Sequence, residues 1–180
     1  MQTPENIRAL ADELAQLPSI GPRQAMRLAF TIAGDGEGRI NKLIAALAGM
    51  KSVHPCESCG FSVFVPPDLP AGETIRCAVC RDSSRSTKSI CIIEKETDMV
   101  SIEASGAYKG IYFILGGPIQ DARARGKAQK SRDRLALLVA RLKTASAEEV
   151  IIATSATIEG DLTAAALKAD LAPHTKKLSR

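Results

Sequence analysis

The stretch EVIIATSATIEGD, residues 149–161, joins a short apolar run to a small polar loop that ends in two acids. Residues 150–153 are apolar and mostly β-branched, which predicts a buried β-strand. Glu159 and Asp161 follow on either side of a glycine. Acids placed just beyond a strand are typical of a metal site, so the surrounding fold decides what this loop can do.

Two further apolar runs precede this strand, SICIIE at residues 89–94 and IYFIL at residues 111–115. Strands that alternate with helices predict a parallel sheet with right-handed crossovers. We therefore expect residues 89–180 to form an α/β domain. Helical patterns lie between and after the three runs, near residues 97–105, 125–143 and 161–171.

The helix predicted at residues 125–143 carries one apolar stripe. Its Arg and Lys residues are expected to face solvent, because residues at helical spacing share one face and the stripe takes the inner one. The stripe consists of Leu135, Leu138, Val139 and Leu142.

The first 52 residues are helical in pattern. Leu10, Leu14 and Leu17 recur at helical spacing and predict a first helix. Thr3 is the expected N-cap, with Pro4 in the first turn. Two more helices fit residues 22–33 and 40–50, separated by the turn GDGEG at residues 34–38. The third helix has an apolar face made of Ile40, Leu43, Ile44 and Leu47.

Residues 53–88 contain four cysteines, four prolines and few helix formers. This segment therefore needs a cross-link, by a metal ion or by disulfides, in addition to apolar packing. The cysteines form two CxxC pairs with 17 residues between them. This spacing predicts one structural Zn²⁺ in a closed tetrahedron of thiolates, with two disulfides as the alternative that a cytoplasmic location disfavours. Cys91 is expected in the core and His54 outside the ligand set. The predicted ligands are Cys56, Cys59, Cys77 and Cys80.

The stretch LPSIGPRQAMRLAF, residues 17–30, resembles a helix-hairpin-helix DNA-binding motif. Gly21 is expected to let the backbone turn tightly and approach a phosphate. Amide groups at a helix start are unpaired and attract anions. Arg23 and Arg27 are four residues apart and share a helix face, so they can flank the same phosphate backbone. An ordinary αα-hairpin with a Pro-Gly turn stays open as the alternative.

The chain of 180 residues has a net charge of +4, but eight Lys or Arg and two Asp fall between residues 121 and 143. Such a block suits a polyanion, although a solvated helix face is the simpler interpretation. The sequence has no run of 18 apolar residues, and the start MQTPENIRALADELAQ has early acids and no apolar signal region. These features predict a soluble cytoplasmic protein without membrane contact.

Taken in order, the hairpin, the paired CxxC motifs and an α/β domain that opens with ICIIE resemble the RecR family of bacterial recombination mediators. The stretches ICIIEKETDMVSIEASGAYKGIYFILGG and EVIIATSATIEGDLTA extend the resemblance over nearly the whole chain. It implies a multi-part α+β protein. The expected regions are a helix-hairpin-helix DNA-binding region at residues 1–52, a four-cysteine zinc finger at residues 53–88 and a Toprim-like α/β parallel sheet at residues 89–180.

In catalytic Toprim proteins a Glu ends the first strand, and a later strand leads into an Asp-x-Asp pair that holds Mg²⁺. Glu94 stands at the first position here, but Ser155 and Thr157 stand at the pair. Mg²⁺ needs more negative charge than one carboxylate to be held against a phosphodiester. The resemblance thus implies a protein that is not an enzyme, with Glu94, Glu159 and Asp161 as candidates for partner contact.

The RecR resemblance also implies partners. Members of the family are described as acting with RecO and RecF to help load RecA onto single-stranded DNA. We therefore expect binding to gaps or single-stranded/duplex junctions in the nucleoid, and a homo-oligomer with a dimer contact in the N-terminal helices. The strand and Gly-rich tail that usually follow the last helix are expected to be missing beyond HTKKLSR.

Two other functions stay open from the residues alone. One is a metal-dependent Toprim nuclease or topoisomerase-like enzyme, which a Mg²⁺-dependent nicking assay would detect. The other is a truncated paralogue that binds only protein partners, which retained DNA binding would exclude.

Overall fold

The computed structural model describes residues 2–70, 72–119, 125–145 and 147–180. The chain divides into two compact units, Met1–Ser52 and Val53–Arg180. The first unit consists of helices: α1 at Glu5–Ala15, α2 at Pro22–Gly34 and α3 at Glu37–Gly49, followed by a 3-10 turn at Met50–Ser52.

The core of the first unit is small because it is built from alanines. Ala11 of α1 and Ala25 and Ala29 of α2 are buried, and their small side chains let the two helices approach closely. All of α3 is described, and none of its residues is buried. Ile44 is 59% exposed and Leu47 is 69% exposed, so the predicted apolar face of α3 is present but uncovered.

Three expectations for the first unit differ from the structure. Pro4, not Thr3, is the N-cap of α1, and no side chain caps the helix. The extended backbone of Pro4 already sets the entry into the helix. Leu17 lies beyond the end of α1 and is 50% exposed, because a residue before a proline is disfavoured in helical conformation. The GDGEG turn is also shorter than expected, since α2 includes Gly34 and α3 begins at Glu37.

The second unit opens with the cysteine module, residues 53–85. A small antiparallel hairpin pairs β1, Val53–Pro55, with β2, Ser62–Phe64. A single helical turn, α4, follows at Ala78–Arg81. The hairpin and this turn were not predicted, because each is too short to show a period in the sequence.

A parallel four-stranded sheet forms the remainder of the second unit, in the strand order β4-β3-β5-β6. This confirms the predicted α+β fold with its parallel Toprim-like sheet. The strands are β3 at Ser86–Ile93, β4 at Gly110–Ile114, β5 at Ala147–Ala153 and β6 at Thr175–Ser179. The helices are α5 at Glu96–Ser105, α6 at Arg125–Thr144 and α7 at Ile158–Leu171.

Strand β6 corrects the expectation that the strand after the last helix is missing. It pairs in parallel with β5, with Thr175 opposite Ala147 and Leu178 opposite Val150. The strand was missed because Lys176 and Lys177 interrupt its apolar character. Lysines are common on an edge strand, where they hinder pairing with another chain.

Alternate residues of β3, β4 and β5 supply two separate cores. Ile90 and Ile92 of β3 join one cluster with α6 and α7 residues such as Leu138 and Leu167. Cys91 and Ile93 point to the opposite cluster, which contains the cysteine module. The period of two residues in a strand explains why the sequence shows continuous apolar runs: both faces are covered.

Helix α6 departs from its predicted orientation in two places. Leu135, Leu138 and Leu142 face the core as expected. Arg134 and Arg141, however, do not face solvent, because both donate hydrogen bonds to backbone carbonyls of the cysteine module. Residues 121–124 of the basic block lie outside the described residues. Among those described, no helix is long and apolar enough to cross a bilayer.

Candidate functional site

The four CxxC cysteines converge on one point in the second unit. All four Sγ atoms lie within 4.8 Å of one another. Cys56 and Cys59 flank the turn between β1 and β2, whereas Cys77 caps α4 and Cys80 lies within it. All five cysteines of the chain are free thiols, and Cys91 is buried in the core without joining the cluster. His54 is exposed and is not part of the cluster.

The spacing of these thiols fits a tetrahedral metal. Four sulfurs about 2.3 Å from a zinc ion lie roughly 3.8 Å from each other. The Sγ atoms of Cys59 and Cys77 are 3.5 Å apart, close to that value. The amides of Phe61 and Cys80 donate hydrogen bonds of 3.4 Å to the Sγ atoms of Cys59 and Cys77. Such donors stabilise thiolates, so the cluster can hold one metal ion.

The cluster is also polarised before a metal binds. Hydrogen bonds from Cys59 and Cys80 lower the pKa of Cys77 to about 2, because they stabilise its thiolate. The hydrogen bond between Cys59 and Cys77 raises the pKa of Cys59 in turn. The hydrogen bonds within the cluster therefore favour the thiolate of Cys77 over that of Cys59.

The second place of interest is the Toprim end, where the carboxyl ends of neighbouring strands meet. Glu94 directly follows β3, and Ser155 lies two residues beyond β5, its neighbour in the sheet. β4 lies on the other side of β3, so the strand order reverses at β3. Open α/β sheets bind ligands at such a switch point.

Glu94 is a buried carboxylate, with only 4% of its surface exposed. The hydroxyl of Ser155 donates a hydrogen bond of 2.5 Å to its Oε2 atom. Its Oε1 atom has no hydrogen-bond partner among the described residues. Glu94 lines a cavity of about 440 Å³ together with His54, Lys130 and Arg134. One carboxylate bound to a hydroxyl and near cations is a poor setting for Mg²⁺.

Hydroxyl groups also fix the loop after β5. Thr157 is the N-cap of α7 and accepts a hydrogen bond of 3.1 Å from the amide of Gly160. Thr154 donates one of 3.0 Å to the Gly160 carbonyl. A Cβ atom at Gly160 would lie 1.9 Å from the carbonyl oxygen of Ser155, so only glycine fits. The residues at the two positions of the missing Asp-x-Asp pair, Ser155 and Thr157, thus stabilise the loop by hydrogen bonding.

The two remaining acids are not gathered around Glu94. Glu159 and Asp161 lie in the first turn of α7 and are exposed. Asp161 forms an ion pair with Arg180. In the described parts of the chain, a group of three or more potential metal ligands occurs at the cysteines and not at the Toprim end.

The turn between α1 and α2 differs from the prediction in one respect. Gly21 is extended, with φ −79° and ψ 165°, whereas Ser19 adopts the positive φ of 66° that the turn requires. A Cβ atom at Gly21 would meet nothing within 4 Å. Neither the backbone nor internal packing therefore demands glycine at this position.

Arg23 and Arg27 are both exposed on α2. The first helical hydrogen bond runs from the amide of Ala25 to the carbonyl of Gly21, at 2.9 Å. The amides of Arg23 and Gln24 precede it and have no intrahelical acceptor. Gly21 offers no side-chain cap, so this helix start presents free amides beside two cations.

A parallel sheet with an acid at its switch point, carried with a cysteine cluster and a helical hairpin, defines a Toprim-domain protein. A profile described as Toprim domain matches residues 88–180, and one described as RecR, helix-hairpin-helix matches residues 7–51. The chain belongs to the RecR family. Members similar to it are each named Recombination protein RecR.

Three relatives illustrate the similarity. The protein of Thermus thermophilus is 34% identical over 180 residues, which cover 100% of this chain and 85% of the relative. The protein of Deinococcus radiodurans is 34% identical over 100% of this chain and 76% of its own length. The protein of Thermobifida fusca is 34% identical over 97% of this chain and 82% of its own length.

Proposed function

We propose that this RecR-family protein is a non-catalytic DNA-binding mediator in recombinational DNA repair. It acts in the cytoplasm at the nucleoid, at gaps or junctions of single-stranded and duplex DNA. With RecO, and with RecF, it helps to load RecA onto single-stranded DNA. The names of the relatives support the repair role. In this proposal residues 1–52 bind DNA, residues 53–88 bind the metal and residues 89–180 contact partner proteins.

The observation that carries the DNA-binding proposal is Gly21. Because neither its φ nor its surroundings require glycine, the missing side chain leaves room for something outside the unit. The free amides at the start of α2 favour an anion there, and Arg23 and Arg27 supply charge on the same face. A DNA phosphate meets all three conditions.

The proposal of a non-catalytic protein rests on the Toprim end. The hydroxyl of Ser155 donates a hydrogen bond to one oxygen of Glu94, and that of Thr157 caps α7 by accepting one from the amide of Gly160. Neither side chain supplies the negative charge that Mg²⁺-assisted phosphoryl transfer needs. The exposed Glu159 and Asp161, together with the buried Glu94, are the proposed contact for RecO.

The metal of the cysteine cluster is proposed to be one structural Zn²⁺ per chain. Four thiolates are the ligand set that closed zinc sites use, and they leave no position for water. The Zn²⁺ would hold the two CxxC turns of the cysteine module together and take no part in chemistry.

The uncovered apolar face of α3 supports a homo-dimer through the N-terminal helices. Ile44 and Leu47 are more than half exposed, which is costly for side chains of this size unless another surface covers them. Light scattering of the wild type against Leu47→Glu tests this proposal. A dimer that Leu47→Glu converts to monomer is the expected result, and a dimer that persists would contradict it.

The DNA proposal is tested by titrating duplex, gapped and single-stranded DNA with Arg27→Ala and with the control Arg132→Ala. Both arginines are exposed on a helix and both substitutions remove one charge. Phosphate contacts carry no base information, so binding should depend on salt and hardly on sequence. Arg27→Ala should reduce the log–log salt slope by about 1 per lost contact, and more in a dimer.

The opposite pattern would overturn the hairpin as the DNA site. If Arg27→Ala leaves affinity and salt slope unchanged while Arg132→Ala lowers both, the turn at Gly21 is only structural and DNA binds along α6.

A further inference from the structure

Arg134 is an arginine of α6 that lies inward. Its Nη2 atom donates a hydrogen bond of 2.8 Å to the carbonyl of Cys59, and its Nε atom donates one to the carbonyl of Ile114. The guanidinium also lies over the ring of Phe113, 4.9 Å from the ring centre. Arg132, two residues earlier on the same helix, is exposed.

The turn at Cys56–Gly60 leaves space for this side chain. Gly60, the residue after Cys59, has a φ of +87°, and a Cβ atom there would lie 2.2 Å from the Nη2 atom of Arg134. Arg141 lies seven residues further along α6, about two helical turns away, and donates a hydrogen bond of 3.4 Å to the carbonyl of Ser58. Two arginines on one helix face thus hold consecutive carbonyls of the first CxxC turn.

The charge of Arg134 has no ordinary partner. Among the described residues it forms no ion pair with a carboxylate, although its side chain is partly buried. A guanidinium removed from water needs an anion near it.

A metal centre of four thiolates supplies that anion. One Zn²⁺ and four thiolates carry a net charge of −2, and partial burial makes this charge costly unless a cation offsets it. Arginine is suited to the role because its charge persists on burial and its planar fork binds two acceptors at once.

We propose that Arg134 is the counter-ion and positioning residue of the zinc centre. It offsets the negative charge of the thiolates, and it fixes the Cys56–Gly60 turn through the carbonyl of Cys59. This inference rests on the proposed identity of the metal, and it adds a residue from α6 to a site otherwise made of the cysteine module.

The test is the rate at which the purified protein transfers its zinc to the chromogenic chelator pyridylazoresorcinol. Arg134→Gln should transfer zinc on the order of 10-fold to 100-fold faster than the wild type, as for other residues that support metal ligands. Arg134→Lys keeps the charge but loses the fork, so a smaller acceleration is expected. Arg132→Gln removes the same charge from an exposed position and should match the wild type.

A second readout separates the electrostatic role from mere loosening of α6. In the Co²⁺-substituted protein, removing a nearby cation makes the thiolates better electron donors. The thiolate-to-metal absorption band of Arg134→Gln should therefore shift to longer wavelength, while that of Arg132→Gln stays in place.

Equal transfer rates and unshifted bands in Arg134→Gln and Arg132→Gln would overturn the proposal. Where Arg134→Gln is insoluble, Arg134→Lys decides: faster transfer supports the role of Arg134, and transfer at the Arg132→Gln rate overturns it. A wild type that contains no zinc would instead refute the identity of the metal.

Discussion

The cysteine cluster and the Toprim end are both places where a fold of this class can hold a metal, and they differ in what their ligands do. At the cluster, four sulfur atoms converge within 4.8 Å. At the Toprim end, one carboxylate accepts a hydrogen bond from Ser155, and the other acids lie exposed on α7. The first region offers four ligands that a metal ion could join, and the second is held by its own hydrogen bonds.

This difference shows that the ligand set decides the use of a metal position, while the backbone around it can stay the same. β3 and β5 are neighbours in the sheet, so Glu94 and the loop that leads into α7 meet at one edge. Ser155 and Thr157 turn that arrangement into a hydrogen-bonded loop. Substitutions in the two regions should therefore affect metal binding, stability and activity to very different extents.

The largest effect is expected at the cluster. Cys59→Ser should abolish zinc binding and lose much of a metal contribution of order 10 kcal/mol, so that residues 53–85 lose protection from hydrogen exchange. Cys91→Ser is the matched control, because Cys91 is buried but lies outside the cluster. Zinc content by mass spectrometry of metals checks the result. One zinc per chain in Cys59→Ser would show that the cluster does not depend on all four thiols.

A smaller effect is expected where the module joins the sheet through hydrogen-bonded charges. Arg85 donates to both carboxylate oxygens of Glu103, and Tyr112 donates to one of them. The hydrogen bonds from Arg85 lower the pKa of Glu103 below its ordinary 4.5. A lowered pKa adds stability that is present above pH 4.5 and is lost as the pH falls through the folded value.

Glu103→Gln should therefore cost about 2 kcal/mol in free energy of unfolding near pH 7, and the difference should shrink below pH 4.5. Urea unfolding at several pH values measures it. Glu148→Gln removes an exposed carboxylate paired with Lys88 and should have little effect. A loss in Glu103→Gln that persists unchanged in acid would contradict this account.

The smallest effect is expected at the Toprim end, where Mg²⁺ or Mn²⁺ should produce no cleavage, joining or nucleotide hydrolysis. Wild type and Glu94→Gln should give the same background in a plasmid nicking assay, because Ser155 and Thr157 supply no carboxylate. Turnover in the wild type that disappears in Glu94→Gln would show that this region is a working metal site after all.

The sequence predicted the sheet and the four converging cysteines because both depend on local patterns. β3, β4 and β5 are apolar runs covered on both faces, and the paired CxxC spacing brings its own geometry. Strand β6 was missed because its two lysines give the segment the polar character of a solvent-exposed loop.

The inward turn of Arg134 could not be predicted. Its acceptor is the backbone carbonyl of Cys59, 75 residues earlier, and every residue type offers such a carbonyl. The turn before α2 was predicted in position but not in conformation, because Ser19 took the positive φ expected to need glycine. The first error arises because the acceptor of Arg134 lies far away in the sequence.

The hydrogen bond from the amide of Ile114 to the carbonyl of Cys59, at 2.9 Å, has a consequence for solubility. β4 is an edge strand with the sequence GIYFI, and it is buried throughout. The cysteine turn covers the end of this edge, where it would otherwise be a template for pairing with another chain. Removal of metal should thus cause self-association through β4, visible as thioflavin fluorescence after chelation.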